Sequence, residues 1–356
     1  LHTNLSESRS PSRQEMTFNS CANDLFDMIA SGDFPDLDAA PSPRRGAPRA
    51  TDGLIRLDVD GVVTFASPNA LSAFNRIGFA DELEGESLAE FLGGAAAQFD
   101  MLVDASPTGE IFLDAGANKT EYLGNWKLVG MDGYHPNFVH ASVVAGWARN
   151  SESGIGAMHR EDPFSDEALT LTRDYGNGHA MLDFRAQRLK SYKKHAEFLS
   201  KVPGGVKYVE DMHKAYGQER AELLISLSGD PHLGVFPNLQ LIGNQVRIIT
   251  PIAPGITQVT MSMVRLGGVS DEINTMRVRQ HESFYGPAGS GSPDDAEIFE
   301  RVQRGMVAEV NPWIEISRGM HREFVDTDGS VVGRITDEVP QRGQMKYWLQ
   351  LMTRAA

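Results

Sequence analysis

The clearest patterning along this chain lies in its second half. Leu239-Gln-Leu-Ile242, Val246-Arg-Ile-Ile-Thr250 and Gln258-Val-Thr-Met-Ser-Met-Val264 interleave apolar and polar residues, and Gly243-Asn244 and Pro251-Ile-Ala-Pro-Gly255 separate them. Such alternation between turn-forming residues predicts consecutive antiparallel strands. Shorter strand signals fall at Gly109–Ala115, Lys119–Val129, His179–Phe184 and Leu223–Leu227, and helical ones at Asp166–Thr172, Ser191–Leu199, Asp294–Met306 and Gln344–Arg354. The acidic start of the Asp294 segment suits the positive end of a helix dipole. Thr275–Glu282 reads either as a further strand or as the start of the next helix. Strands in meander order with helices at the ends predict an α+β fold around an antiparallel sheet.

The first hundred residues read differently. Ser12 to Ile29 can form an amphipathic helix with Phe18, Cys21, Leu25 and Met28 on one face, and Asp33–Arg49 has the Pro/Arg composition of a linker. Leu54–Val59 and Val62–Phe65 around Asp60-Gly61 predict a hairpin. A short helix follows from near Pro68, and Asp81–Leu92 suggests another. The expected organisation is therefore a helical segment and linker over 1–50, a small unit over 51–96 and one long domain over 97–356.

Composition narrows the class. The 356 residues are 41% hydrophobic and 23% charged, ordinary for a chain that buries a core. A net charge of -15 argues against nucleic acid or an anionic membrane as partner. No apolar run approaches a membrane span and no signal-peptide pattern opens the sequence, so a cytoplasmic protein is expected. Cys21 is the single cysteine, read as a small helical filler; these residues cannot supply a thiolate metal or iron–sulfur site.

The candidate chemistry sits at Asp132-Gly-Tyr-His135-Pro-Asn-Phe-Val-His140. In a helix Asp132 and His135 would share a face, while His140 would lie about 140° further round. Pro136 can distort the helix between the two histidines and let them converge. Two imidazoles and a carboxylate form the facial triad of non-heme Fe(II) oxygenases. The competing reading is of solvated or core histidines. Elsewhere, His195 among three lysines reads as part of a solvated basic face, His213 as a surface helix residue, and His281 as either structural or near a cavity. Met261 and Met263 read as cavity wall or core, and Gly286, Gly289 and Gly291 do not make a nucleotide loop.

Gly124-Asn-Trp-Lys127 ahead of Asp132, His135 and His140 resembles the catalytic domain of Rieske non-heme iron aromatic-ring-hydroxylating oxygenase α subunits. So do Phe236-Pro-Asn-Leu239, the Arg277–Phe284 run, Gly286-Pro-Ala-Gly289, Ser292-Pro-Asp-Asp295 with Phe299 and Gln303-Arg-Gly305, and Trp313–Gly319. The resemblance covers about 105–356. It implies a helix-grip (START-like) antiparallel sheet with covering helices, and Fe(II) held by His135, His140 and Asp295, with Asp294 as the fallback. It implies that Asp132 orients a ligand histidine on the path of incoming electrons, a role to which carboxylates beside ligand imidazoles are suited. Implied too are a small aromatic substrate (an aromatic acid is the expected branch), O2, and electrons from an external Rieske [2Fe-2S] protein and NAD(P)H reductase. A homo-oligomer, trimeric in the family, would be the assembly. Only four residues separate Lys127 from Asp132, fewer than in many members.

The segment 1–92 resembles the GAF–PAS junction of an actinobacterial sensor histidine kinase, which implies a partial PAS-like segment at 51–96. No phospho-acceptor helix or ATP-binding box follows it. A sensor or signalling fusion and an inactive ligand-binding helix-grip domain are the alternative functions. A natural fusion, a truncated oxygenase and a mis-joined gene are the alternative origins.

Overall fold

The computed structural model describes residues 55–58, 60–76, 83–128, 165, 167–307, 310 and 313–353. The helix expected over 12–29, the linker after it and the segment from Asp132 to Trp147, expected to carry two of the metal ligands, lie outside them. The chain divides into two compact units, ending and beginning at Phe91 and Leu92.

In the first unit, β1 (Ile55–Leu57) pairs antiparallel with β2 (Val63–Ala66). Asp58 closes the turn, its Oδ1 accepting from the N–H groups of Asp60 and Val62, and Gly61 takes a positive φ of 77°. Ser67 Oγ accepts from Ala70 N and starts α1 (Pro68–Arg76), with proline in the first helical position, where its missing N–H costs nothing. Val63, Ala66, Ala70 and Leu83 form a small core. The second helix is shorter than expected: α2 spans Leu88–Leu92, after a turn at Leu83–Glu86 in which Gly85 has a φ of 90°.

In the second unit, after α3 (Ala96–Val103), the strands β3 (Ile111–Phe112), β4 (Ala117–Tyr122), β5 (Leu171–Asp174), β6 (Ala180–Asp183), β7 (Leu233–Val235), β8 (Leu239–Ile242), β9 (Gln245–Ala253), β10 (Ile256–Met263), β11 (Arg265–Leu266), β12 (Phe324–Val325) and β13 (Val331–Arg334) follow in chain order. Nine of them make one antiparallel sheet in the order β12-β13-β5-β6-β7-β8-β9-β10-β4, while β3 pairs with β11. Between β6 and β7 run α4 (Arg185–Leu189), α5 (Tyr192–Ser200), α6 (Gly205–Tyr216) and α7 (Gln218–Leu227); α8 (Asp271–Tyr285), α9 (Ser292–Gly305) and α10 (Val339–Thr353) come later.

Alternation sorts the two faces of the sheet. Met181, Leu233 and Leu241 are cross-strand neighbours and pack with Tyr208, Met212 and Leu224 from α6 and α7. Thr257, Val259, Met261 and Met263 point to the opposite face and are buried there, alternating with half-exposed residues. On that face Tyr122, Ile249, Val259 and Met261 pack against Ala296 and Phe299 of α9.

Two expectations fail for physical reasons. Leu223–Leu227 is helical, the end of α7: a five-residue apolar run fits either period, and the helix formers from Gln218 to Glu222 decide it. Asp166–Thr172 is not a helix, since Leu171 and Thr172 begin β5 and pair with β6 and β13. Thr275–Glu282 belongs to a helix, α8.

The β8–β9 turn is sterically committed. Gly243 has a φ of 63°, and a Cβ there would lie 2.9 Å from the Tyr285 ring. Gly243→Ala should lose about 2 kcal/mol or more, the left-handed cost for a side chain plus the ring contact. A urea midpoint measured at unchanged m tests this, and a loss under about 0.5 kcal/mol would mean that the turn relaxes freely.

Candidate metal and substrate site

The N-terminus of α9 forms one wall of a recess on the inner face of the sheet. Pro293 in the first turn presets the helical backbone, and Asp294 and Asp295 complement the positive helix end. Gly291 just ahead packs against Phe284, whose ring a Cβ would meet at 2.4 Å. Asp295 is buried, 7% exposed, and lines the recess with Tyr122, Arg247, Val259, Met261 and Phe299; Asp294 is half-buried and does not line it. The recess spans about 310 Å³ when the open solvent at its mouth is counted, and the centre of a water molecule can move through only about 30 Å³ of it.

The Asn-Trp-Lys motif ties the end of β4 to α9. Asn125 N donates to Gln303 Oε1 (2.9 Å), Leu123 N donates to Glu300 Oε1 (3.1 Å), and Asn125 Nδ2 donates to Pro254 O (2.7 Å). Tyr122 OH donates to Asn125 O, and the Tyr122 ring meets Phe299 at 5.3 Å. Lys127 lies over the rings of Trp126 and Trp348, and burial pushes its pKa down. The bend that precedes the Asp132–His140 stretch is thus fastened to the helix carrying Asp295. Asp132, His135 and His140 themselves lie outside the described residues. Among the described residues no three histidine, cysteine or acidic side chains lie together as a metal cluster.

Arg247 is the functional candidate that sequence reasoning passed over. It is 3% exposed, near the start of β9, with Met261 and Gln240 as cross-strand neighbours. Gln245, with its amide oxygen turned toward the guanidinium, accepts from Nε (3.0 Å) and Nη2 (3.1 Å). The Tyr285 ring lies 4.9 Å from the guanidinium carbon. The available signal was parity: Gln245 and Arg247 occupy inward positions of a strand whose next inward residue is Ile249.

Of the remaining histidines, His281 is 1% exposed, with its ring 5.6 Å from that of Tyr285. Burial and the Arg247 charge push its pKa down to about 4. His213 bonds to Tyr192 OH at 3.1 Å. His195 departs from the solvated basic face expected for it. Its Nε2 bonds to Ser228 Oγ at 3.2 Å, and burial together with Arg188 and Arg277 pushes its pKa down to about 4. Met261 lines the recess and Met263 is buried.

Residues 112–334 match the family model described as ring hydroxylating alpha subunit (catalytic domain). The chain belongs to this family. Its members use a mononuclear iron and act on aromatic substrates with electron-transfer partners. The large subunit of anthranilate 1,2-dioxygenase from Acinetobacter baylyi is 32% identical over 251 residues, 67% of this chain and 51% of that protein. The large subunit of 2-halobenzoate 1,2-dioxygenase from Burkholderia cepacia is 28% identical, over 75% of this chain and 58% of that protein. The chain thus spans a little over half the length of these relatives. A solved naphthalene 1,2-dioxygenase with indole in its active site superposes with a TM-score of 0.59 at 17% identity, over 76% of this chain and 61% of that one. This ring-hydroxylating α-subunit domain therefore has the helix-grip fold. A separate match links 77 residues, 21% of this chain and 15% of the other, to the sensor histidine kinase PdtaS of Mycobacterium tuberculosis at 57% identity. Among the described residues no helix is long and apolar enough to cross a membrane.

Proposed function

We propose that residues 97–356 form an oxygenase catalytic domain that binds Fe(II) through His135, His140 and Asp295 and hydroxylates the ring of an aromatic acid, typically by dihydroxylation. The observation that carries this reading is the buried Asp295 carboxylate, in the wall of a recess otherwise built largely from Tyr122, Val259, Met261 and Phe299. One buried carboxylate in a largely apolar recess fits the oxygen donor of a two-histidine, one-carboxylate iron site. When bound, the iron supplies O2 activation beside the ring. Asp132 would orient a ligand imidazole and stand on the electron path. The apolar wall would hold the ring and exclude water, as pocket walls of this composition do. Electrons would come from a separate Rieske protein and an NAD(P)H reductase. Aromatic acids are the favoured substrates because anthranilate and 2-halobenzoate, which name the two relatives, are both aryl carboxylates. The 51–96 segment is read as a PAS-like fragment, and the identity to the sensor kinase supports that.

The test is anaerobic Fe(II) loading followed by turnover of benzoate with added Rieske protein, reductase and NADH. Close to one iron per chain and a hydroxylated product are expected. Iron binding without product, in the presence of a competent donor, would instead identify an inactive binding domain.

A further inference from the structure

On α9, Asp295, Phe299 and Gln303 recur at i, i+4 and i+8 and so lie along one stripe of the helix. Asp295 and Phe299 line the recess, the Phe299 ring meets that of Tyr122, and Gln303 Oε1 accepts from Asn125 N at 2.9 Å. We propose that Gln303 is a positioning residue of the iron site: through Asn125 it fixes the chain leading to His135 and His140 relative to the helix that carries Asp295. The inference rests on the iron reading above and adds to it a residue that does not line the recess.

Two observations support it. The first is that the chain leaving β4 is gripped by two elements. β4 lies at the edge of the sheet, so the N–H groups just beyond it have no further strand to meet. Glu300 Oε1 accepts from Leu123 N (3.1 Å), and one turn later Gln303 takes the N–H of Asn125. The β9–β10 corner holds the same residues: Thr257 Oγ1 donates to Gly124 O (2.8 Å), and Pro254 O accepts from Asn125 Nδ2 (2.7 Å). Gly124 is required for this bend, because a Cβ there would lie 2.6 Å from the Tyr122 ring. The second observation is that the acceptors belong to the helix carrying the expected third ligand. Water could satisfy edge N–H groups equally well, but it would leave the bend free to shift against α9. An amide eight residues after Asp295, about 12 Å along a rigid helix, carries a fixed distance instead. Asp132 follows Asn125 by only seven residues, so a displaced bend displaces the start of the ligand segment. A metal constellation tolerates only about 0.5 Å of such displacement.

The competing role for Gln303 is to satisfy an edge N–H and nothing more, in which case its loss lowers stability alone. Metal binding separates the two. The full chain is titrated anaerobically with Fe(II), and separately with Co(II), whose visible absorption reports coordination geometry. Gln303→Met keeps the length of the side chain and removes the acceptor. It should bind Fe(II) about tenfold more weakly, the low end for loss of an outer-shell partner, and shift the Co(II) bands. Gln303→Glu keeps an acceptor in the same place and strengthens the bond by its charge. Its Fe(II) affinity should stay within about threefold of wild type, with an unaltered Co(II) spectrum. If Gln303→Met does not fold, Glu300→Met removes the neighbouring acceptor and should weaken Fe(II) binding by at least about threefold. A lowered urea midpoint with metal affinity and Co(II) spectrum unchanged would overturn the proposal, as would a Gln303→Glu variant as weak as Gln303→Met. Wild-type protein that takes up neither metal defeats the iron reading and this proposal together, whereas wild-type uptake with unaltered variants defeats this proposal alone.

Discussion

Asp295→Ala is expected to remove iron from the anaerobically loaded protein, whereas Asp294→Ala should leave it in place. The two carboxylates are adjacent in sequence but 100° apart around α9, and this separates them physically. Asp295 is buried in the recess wall, while Asp294 is half-buried outside it. Removing one of three protein donors should cost more affinity than the roughly 10–100-fold that accompanies loss of an outer-shell partner. After desalting, metal analysis should thus find less than about a tenth of the wild-type iron in Asp295→Ala. Circular dichroism serves as the check on folding, since a first-turn carboxylate contributes only about 0.3–1 kcal/mol to the helix. His135→Ala and His140→Ala should behave like Asp295→Ala. Wild-type iron content in the double histidine variant would end the assignment, and iron lost from Asp294→Ala but kept in Asp295→Ala would move the third ligand by one residue.

How far the sequence leads toward this experiment depends on what each signal rests upon. The β8–β10 meander was legible because one face is buried and the other is not, so hydrophobicity alternates and Gly243 and Pro254-Gly255 mark the reversals. The strand expected at Leu223–Leu227 failed because helix and strand periods agree over so short a run, and upstream helix formers settled the matter. The helix over Asp81–Leu92 shrank to Leu88–Leu92 because composition does not reveal the left-handed backbone at Gly85. At the candidate site, Asp295 was singled out by the resemblance of its motif, which depends only on neighbours in sequence. Arg247 has no such motif. Its meaning comes from the inward parity of β9 and from Tyr285 on another element, and neither follows from adjacent residues. His195 shows the reverse error: three nearby lysines suggested solvent, yet the ring turns to Ser228 and is held neutral by burial and two arginines.

Asp230→Ala should be the most destabilising change outside the recess, by about 3–5 kcal/mol, because it strands a buried cation. Arg188 Nη2 donates to Asp230 Oδ2 at 3.3 Å, with both side chains about one-tenth exposed. Asp230 Oδ1 accepts from His232 N (3.1 Å) and from Gly243 N (2.8 Å), so one carboxylate joins the loop after α7 to the turn that begins β9. That loop is itself strained, with Ser228 and His232 at φ of 55° and 49°, and depends on such contacts to persist. Burial alone would raise the Asp230 carboxyl. His232, Arg188 and the Gly243 N–H override it and hold the group at about 2. A folded pKa of about 2 against about 3.9 in the unfolded chain gives a definite sign. The contribution is complete above about pH 4 and is lost as pH falls toward 2, on the order of 2–3 kcal/mol in all. The stability difference in urea between the wild type and Asp230→Ala should therefore be largest at about pH 5 and above and shrink steadily as pH falls from about 4 toward 2. A difference that stays constant over that range would place the effect in the lost hydrogen bonds and not in the charge.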